Sequence, residues 1–160
     1  GEVKTAKELA NKMVAIVPDD ITFEQAFRIH QVSKVVTARY YLHSLENFKR
    51  GETKPQIGYW EVPENSTNLE HIMPDRECEG WDISVTEAQA HYKRLGNMTL
   101  LAAKLNSKIG SSSFAQKKKV YANSTFLLTQ EVAEYKDWGP KQVDKRQIEL
   151  ATIVPKVWPL

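Results

Sequence analysis

Near the middle of the 160-residue chain, Glu70-His71-Ile72-Met73-Pro74 sets a carboxylate beside an imidazole just ahead of a proline. Successive side chains of extended backbone point to opposite faces. A strand ending here therefore separates two roles that must not collide: one residue holds a metal, the other faces an incoming water. Further on, Gly96-Asn97-Met98-Thr99-Leu100-Leu101 leads into a second apolar run, and Asn106 follows Asn97 by nine residues, on what should be the next helix. The single cysteine, Cys78, excludes an internal disulfide framework and a Cys-rich zinc site and is compatible with a reducing compartment. Any metal is left to oxygen and imidazole ligands.

Charge is segregated around these residues. Residues 61–87 carry eight acids against one base, Arg76, whereas residues 88–130 contain no acid and seven bases: Lys93, Arg94, Lys104, Lys108, Lys117, Lys118 and Lys119. Two readings stand side by side: a polyanion-binding surface next to a cation pocket, or two solvated faces that neutralise each other. The net charge of +2 conceals this contrast.

The elements that must position these residues read as a mostly helical α+β domain. Ala6, Leu9, Ala10, Met13 and Val17 form one helical stripe over residues 5–17, ended by Pro18. Thr22-x-x-Gln25 is a capping-box pattern that opens a second helix with Phe23, Phe27 and Val32 to bury. A third, over 33–49, lines up Val35, Ala38, Leu42 and Leu45, with Gly51 as its stop. Short β-rich pieces follow at 57–62 and 67–72. Ser84-x-x-Glu87 caps a helix reaching Arg94 and ended by Gly96; residues 98–102 form a strand and 103–108 a helix. Ser113-x-x-Gln116 opens another, and helices over 129–135 and 140–154 close the chain, the last with Pro140 in its first turn and Pro155 just beyond its end. The expected organisation is one domain spanning 1–160: a helical flank over 1–55, a core over 56–110 and a second helical flank over 111–160.

Strand, long loop, strand and helix, with Glu70 and His71, then Asn97, then Asn106 in that order, resemble the ββα-metal fold of HNH nucleases. With the stretch from Leu105 to Ser124, Trp138, Arg146, the terminal Val157-Trp158-Pro159, Phe48 and Arg39-Tyr40-Tyr41-Leu42, the chain is similar to the C-terminal nuclease domain of GmrSD-type modification-dependent restriction enzymes and to related phosphorothioate-linked defence effectors. The resemblance implies a metal-dependent endonuclease acting on DNA. His71 becomes the general base, because a neutral imidazole accepts a proton at physiological pH. Glu70 and Asn106 become hard-oxygen ligands to a divalent metal, Mg²⁺ or alternatively Mn²⁺. Asn97 fixes the loop carrying His71, and Arg94, Lys104, Lys108, Lys117, Lys118 and Lys119 hold the DNA phosphate backbone. Two positions depart from the pattern: many HNH enzymes have Asp where Glu70 stands, and many place Lys three residues after the last Asn, where this chain has Ile109.

The resemblance also implies a partner: an N-terminal nucleotide-hydrolysing sensor domain in a larger prokaryotic protein, since these residues contain no glycine-rich phosphate loop. No window has the ~20 apolar residues of a membrane span, and the start of the chain lacks a signal-peptide pattern, so the expected location is cytoplasmic with no membrane partner. Two other classes remain: a catalytically silent module that binds DNA through an HNH shell, and a regulatory interaction domain using the acidic segment. His30 and His43 have no partner pattern and read as structural or exposed, and His91, near the basic stretch, reads as an exposed helical histidine, with a DNA contact as the alternative. Trp138 and Arg146 are accounted for by packing and a buried salt link.

Overall fold

The computed structural model describes residues 3–14, 16–51, 66–76 and 78–159. The expected strand at 57–62 lies outside them. What is described is α+β and mostly helical: α1 (Ala6–Met13), α2 (Asp20–Ile29), α3 (Val35–Lys49), β1 (Thr67–His71), α4 (Val85–Tyr92), β2 (Met98–Ala102), α5 (Ala103–Ile109), α6 (Phe114–Tyr121), α7 (Leu127–Glu134) and α8 (Pro140–Val157). A 3₁₀ turn over Leu95–Asn97 leads into β2. No described helix is long and apolar enough to cross a membrane.

β1 and β2 form a two-stranded antiparallel sheet in which Glu70 faces Thr99 and His71 faces Met98. Leu100 and Leu101 of β2 are both fully buried, because alternation along the strand sends them into different clusters. Leu100 joins Phe27, Leu42, Leu45, Leu128, Leu150 and Val154. Leu101 joins Ile72, Met73, Phe114, Tyr121, Trp138 and Val143. The sheet is thus covered on both faces, and its ends are fixed by packing from both sides.

Three helices show how their ends are set. Asp19 caps α2 by accepting the Thr22 amide at 2.7 Å, so the helix starts ahead of the expected Thr22: an Asp carboxylate at the N-cap satisfies a free amide there. Gly51, at φ 73°, stops α3 in a left-handed conformation that glycine adopts without a Cβ penalty. The N-terminus of α7 has no side-chain cap of its own; the buried Glu46 of α3 accepts the Leu127 and Leu128 amides at 2.8 and 2.9 Å. A carboxylate there also meets the positive end of the helix dipole, and it sets the start of α7 two residues ahead of the expected Thr129.

Other expectations are corrected. Leu9 and Met13 of α1 and Val35 of α3 are exposed, because the apolar stripe of α1 faces outward and α3 turns Ala38, Leu42 and Leu45 inward instead. Pro155 lies inside α8 rather than beyond it; the bond that its missing amide forfeits is one near the frayed end. Arg146 is buried, but its partners are the carbonyls of Gly96, Met98 and Leu128 at 2.9, 2.7 and 3.3 Å, and no carboxylate bridges to it among the described residues.

Through those carbonyls α8 clamps the turn ahead of β2. Gln147 Oε1 accepts the Gly96 amide at 2.6 Å and its Nε2 donates to the Phe27 carbonyl at 2.7 Å. A Cβ on Gly96 would stand 2.3 Å from the Val143 carbonyl oxygen, so glycine is what lets α8 approach. Asn97 comes directly after this clamped residue.

Candidate active site

Asn97 is fully buried and spans the two strand ends. Its Oδ1 accepts the Met73 amide at 2.8 Å, its Nδ2 donates to the Met73 carbonyl at 2.9 Å, and Trp138 Nε1 donates to Oδ1 at 3.3 Å. The Ile72 amide donates to the Asn97 carbonyl at 2.9 Å. A side-chain amide satisfying both backbone polar groups of one residue fixes the chain immediately after His71 without a regular ladder. The structure thus brings Asn97 to the loop after His71, and adds Trp138 as its second donor.

Glu70 and His71 leave opposite sides of β1. Glu70 is 5 % exposed, and its Oε1 accepts from Lys117 Nζ and from the Tyr121 hydroxyl, both at 2.6 Å. Lys117 also donates to the His71 carbonyl at 2.8 Å. Burial pushes the Glu70 carboxyl above the ordinary range, and the ammonium and the hydroxyl pull it back. The Tyr121 hydroxyl is pushed up well beyond its ordinary value by burial and by the carboxylate it serves, so it stays a donor.

His71 is half-buried. Its imidazole lies 3.9 Å from the Tyr92 ring, centroid to centroid and 10° from parallel, and its ring nitrogens make no hydrogen bond among the described residues. Burial, reinforced by the Lys117 charge and partly offset by Asp75, lowers the imidazole to about 4. At neutral pH it is therefore an uncharged acceptor, the form in which an imidazole takes a proton from water.

Asn106, on α5, donates from Nδ2 to the Leu69 carbonyl at 3.1 Å, which anchors it against the strand beside Glu70. No group of three His, Cys, Asp or Glu side chains is gathered among the described residues. Among the described residues neither the Asn106 Oδ1 nor the second Glu70 oxygen accepts a hydrogen bond. Two hard oxygens, one of them anionic, suit a divalent ion that keeps several waters, such as Mg²⁺.

The expected basic contacts divide in two. Lys104, Lys108 and Lys119 are exposed. Lys117 is 2 % exposed, so it is an internal counter-ion and not the surface contact its place in the Lys117-Lys118-Lys119 run suggests. The reason is the helical period: of three consecutive lysines on α6, one must face the sheet. Lys118 donates to the Tyr135 carbonyl at 2.7 Å. Arg94 donates to the Arg28 carbonyl at 2.6 Å and lies 3.4 Å from Asp144, which also ties its guanidinium into the fold. Sequence reasoning missed Tyr92 and Tyr121; the only signal for them was their place in the acid-free stretch.

No curated protein matches the chain. The family model described as GmrSD restriction endonucleases, C-terminal domain, matches residues 17–153, a span that holds Glu70, His71, Asn97 and Asn106 together with the helices that place them. The chain accordingly belongs to the family of GmrSD restriction endonuclease C-terminal domains and is a nuclease domain.

Proposed function

We propose that this domain is a metal-dependent HNH endonuclease that hydrolyses DNA phosphodiester bonds, and that His71 is its general base. The observation that supports the reading best is the pairing at the end of β1: a neutral, half-buried imidazole beside a carboxylate that faces the other way, with Asn97 strapping the backbone just beyond them to β2. The water oxygen bonds to phosphorus, the bond to the leaving oxygen breaks, and the water's proton passes to the His71 ring. Glu70 and Asn106 would hold a divalent cation, Mg²⁺ or Mn²⁺, which when bound neutralises charge on the phosphate and the leaving oxygen. Asn97 keeps the imidazole aimed by fixing the backbone at Met73. Lys104, Lys108 and Lys119 draw the DNA backbone by charge, independent of sequence. On the family pattern, the domain is the effector of a cytoplasmic prokaryotic defence protein, joined to a nucleotide-hydrolysing sensor.

One observation favours a second reading, a DNA-binding module that does not cut: Glu70 already holds an ammonium and a phenol hydroxyl on one oxygen, which compete with a cation for the carboxylate. A supercoiled-plasmid nicking assay with Mg²⁺, Mn²⁺ or EDTA, run with wild type and His71→Ala beside a binding assay on the same DNA, separates the two. Nicked product that needs metal and is lost in His71→Ala while binding persists supports the nuclease with His71 as base. Salt-sensitive binding without any metal-dependent product supports the silent module.

A further inference from the structure

We infer that Tyr92 is a positioning residue for His71, its phenol ring fixing the plane of the imidazole that takes the water's proton. The inference rests on the reading of His71 as the base. His71 stands at the last position of β1, where the strand fixes its Cα but leaves two side-chain torsions to be set by contact. No hydrogen bond from the described residues sets them. The ring lies instead flat on Tyr92 at 3.9 Å and 10°.

Neutral aromatic rings left to themselves prefer offset or edge-on arrangements over a parallel sandwich. At 3.9 Å between centroids and 10° the pair has little offset, so its geometry is set by the separate pieces of backbone that present the two rings to each other. Tyr92 ends α4, whose start is locked by a reciprocal Ser84–Glu87 capping box and whose Ala88 is fully buried. Just after Tyr92, the Lys93 carbonyl accepts the Val32 amide at 2.8 Å, Gln31 bridges Arg94, and Arg94 donates to the Arg28 carbonyl. The backbone that carries the phenol is thus held by α4 and by the segment around α2. The phenol acts as a wall against which the imidazole face lies, and the in-plane nitrogen lone pair that takes a proton is left uncovered by it.

The test combines cleavage kinetics with the side-chain NMR signals of His71, identified by their loss in His71→Ala. In wild type the His71 ring protons lie upfield, shielded by the phenol face. Tyr92→Leu is expected to move them downfield and to lower kcat about 10- to 100-fold with KM within about twofold, the effect of a misaimed group and not of lost binding. Tyr92→Phe is expected to keep both the upfield signals and the wild-type kcat. The inference is overturned if Tyr92→Leu leaves the signals in place, if it displaces them without lowering kcat, or if Tyr92→Phe is as damaged as Tyr92→Leu, which would put the effect on the hydroxyl. Should Tyr92→Leu not fold, Tyr92→Phe alone still decides, since loss of its upfield signals or its kcat refutes a role for the ring. Full cleavage by His71→Ala defeats the base assignment, and this inference with it, in a way the NMR signals of the Tyr92 variants keep distinct.

Discussion

On one side of β1, Glu70 is buried, bonded to Lys117 and Tyr121 and surrounded by the Ile72–Trp138 cluster. On the other side its neighbour His71 is half-buried and held by a single ring contact. The strand alternation that separates the two residues also separates two kinds of environment. A charge taken out of water must be paired and hydrogen-bonded or it neutralises, so the carboxylate side is built as a closed polar network. On the proposed reading His71 is a proton acceptor, which must be reachable and uncharged, and its ring makes an aromatic contact and no hydrogen bond among the described residues. Buried side-chain hydrogen bonds to the carboxylate mark the first side, and on the proposed reading the proton acceptor stands on the second.

The contrast between the two sides is tested most severely at Lys117. Lys117→Met leaves an uncompensated carboxylate in the core and is expected to lower unfolding stability by about 3–5 kcal/mol in urea denaturation, with much of the loss recovered in the Glu70→Gln/Lys117→Met double variant. His71→Ala, by contrast, is expected to change stability by no more than about 1 kcal/mol; a loss comparable to that of Lys117→Met would show that both sides are structural. Tyr121→Phe removes one hydrogen bond to the charged carboxylate and should lower stability by about 1.5–3 kcal/mol, read from the same denaturation curves. Asn97→Ala strips partners from the Met73 backbone and from Trp138. It is expected to destabilise by about 1–3 kcal/mol and to lower cleavage beyond what the unfolded fraction accounts for, since it releases the loop after His71.

The smallest effect is the pH dependence of the imidazole side, measured in EDTA so that no metal competes. His71 has a folded-state value of about 4 against ~6.5 unfolded. Between those values the unfolded chain binds the extra proton, so stability is fully present above about 6.5 and is lost as pH falls toward 4. From pH 7 to pH 6 the loss is under about 1 kcal/mol, and it should diminish in His71→Ala. His43, also lowered by burial and by Arg39, contributes in the same direction, and His43→Gln isolates its part.

Much of this arrangement was legible in local sequence. The capping box at Ser84 and Glu87, the stop at Gly51, the strand at 98–102 and the helix opening at Pro140 are written in residues a few positions apart, the range over which propensity and capping act. The order of Glu70, His71, Asn97 and Asn106 was visible through its resemblance to the ββα-metal pattern and not through local propensity. Lys117 was misplaced because a run of like charges reads as a solvated face, although Phe114, Lys117 and Tyr121 share one helical stripe. Glu46 gave no warning of its capping role, since the amides it accepts lie 81 and 82 residues away. The stripe of α1 read as buried because amphipathicity shows that a helix has an apolar face, not that the fold covers it.

Local sequence was enough for the element order, the carboxylate–imidazole step at the end of β1 and the Gly96-Asn97 pair ahead of β2, because backbone geometry and side-chain alternation are properties of neighbouring residues. Packing in three dimensions decided that Lys117 neutralises Glu70, that Tyr92 lies flat on His71 and that Gly96 admits α8, because each contact depends on how separate elements meet at the sheet. Burial then did what no spacing of residues encodes: it lowered the His71 imidazole by withdrawing it from water while the Lys117 ammonium stood close by.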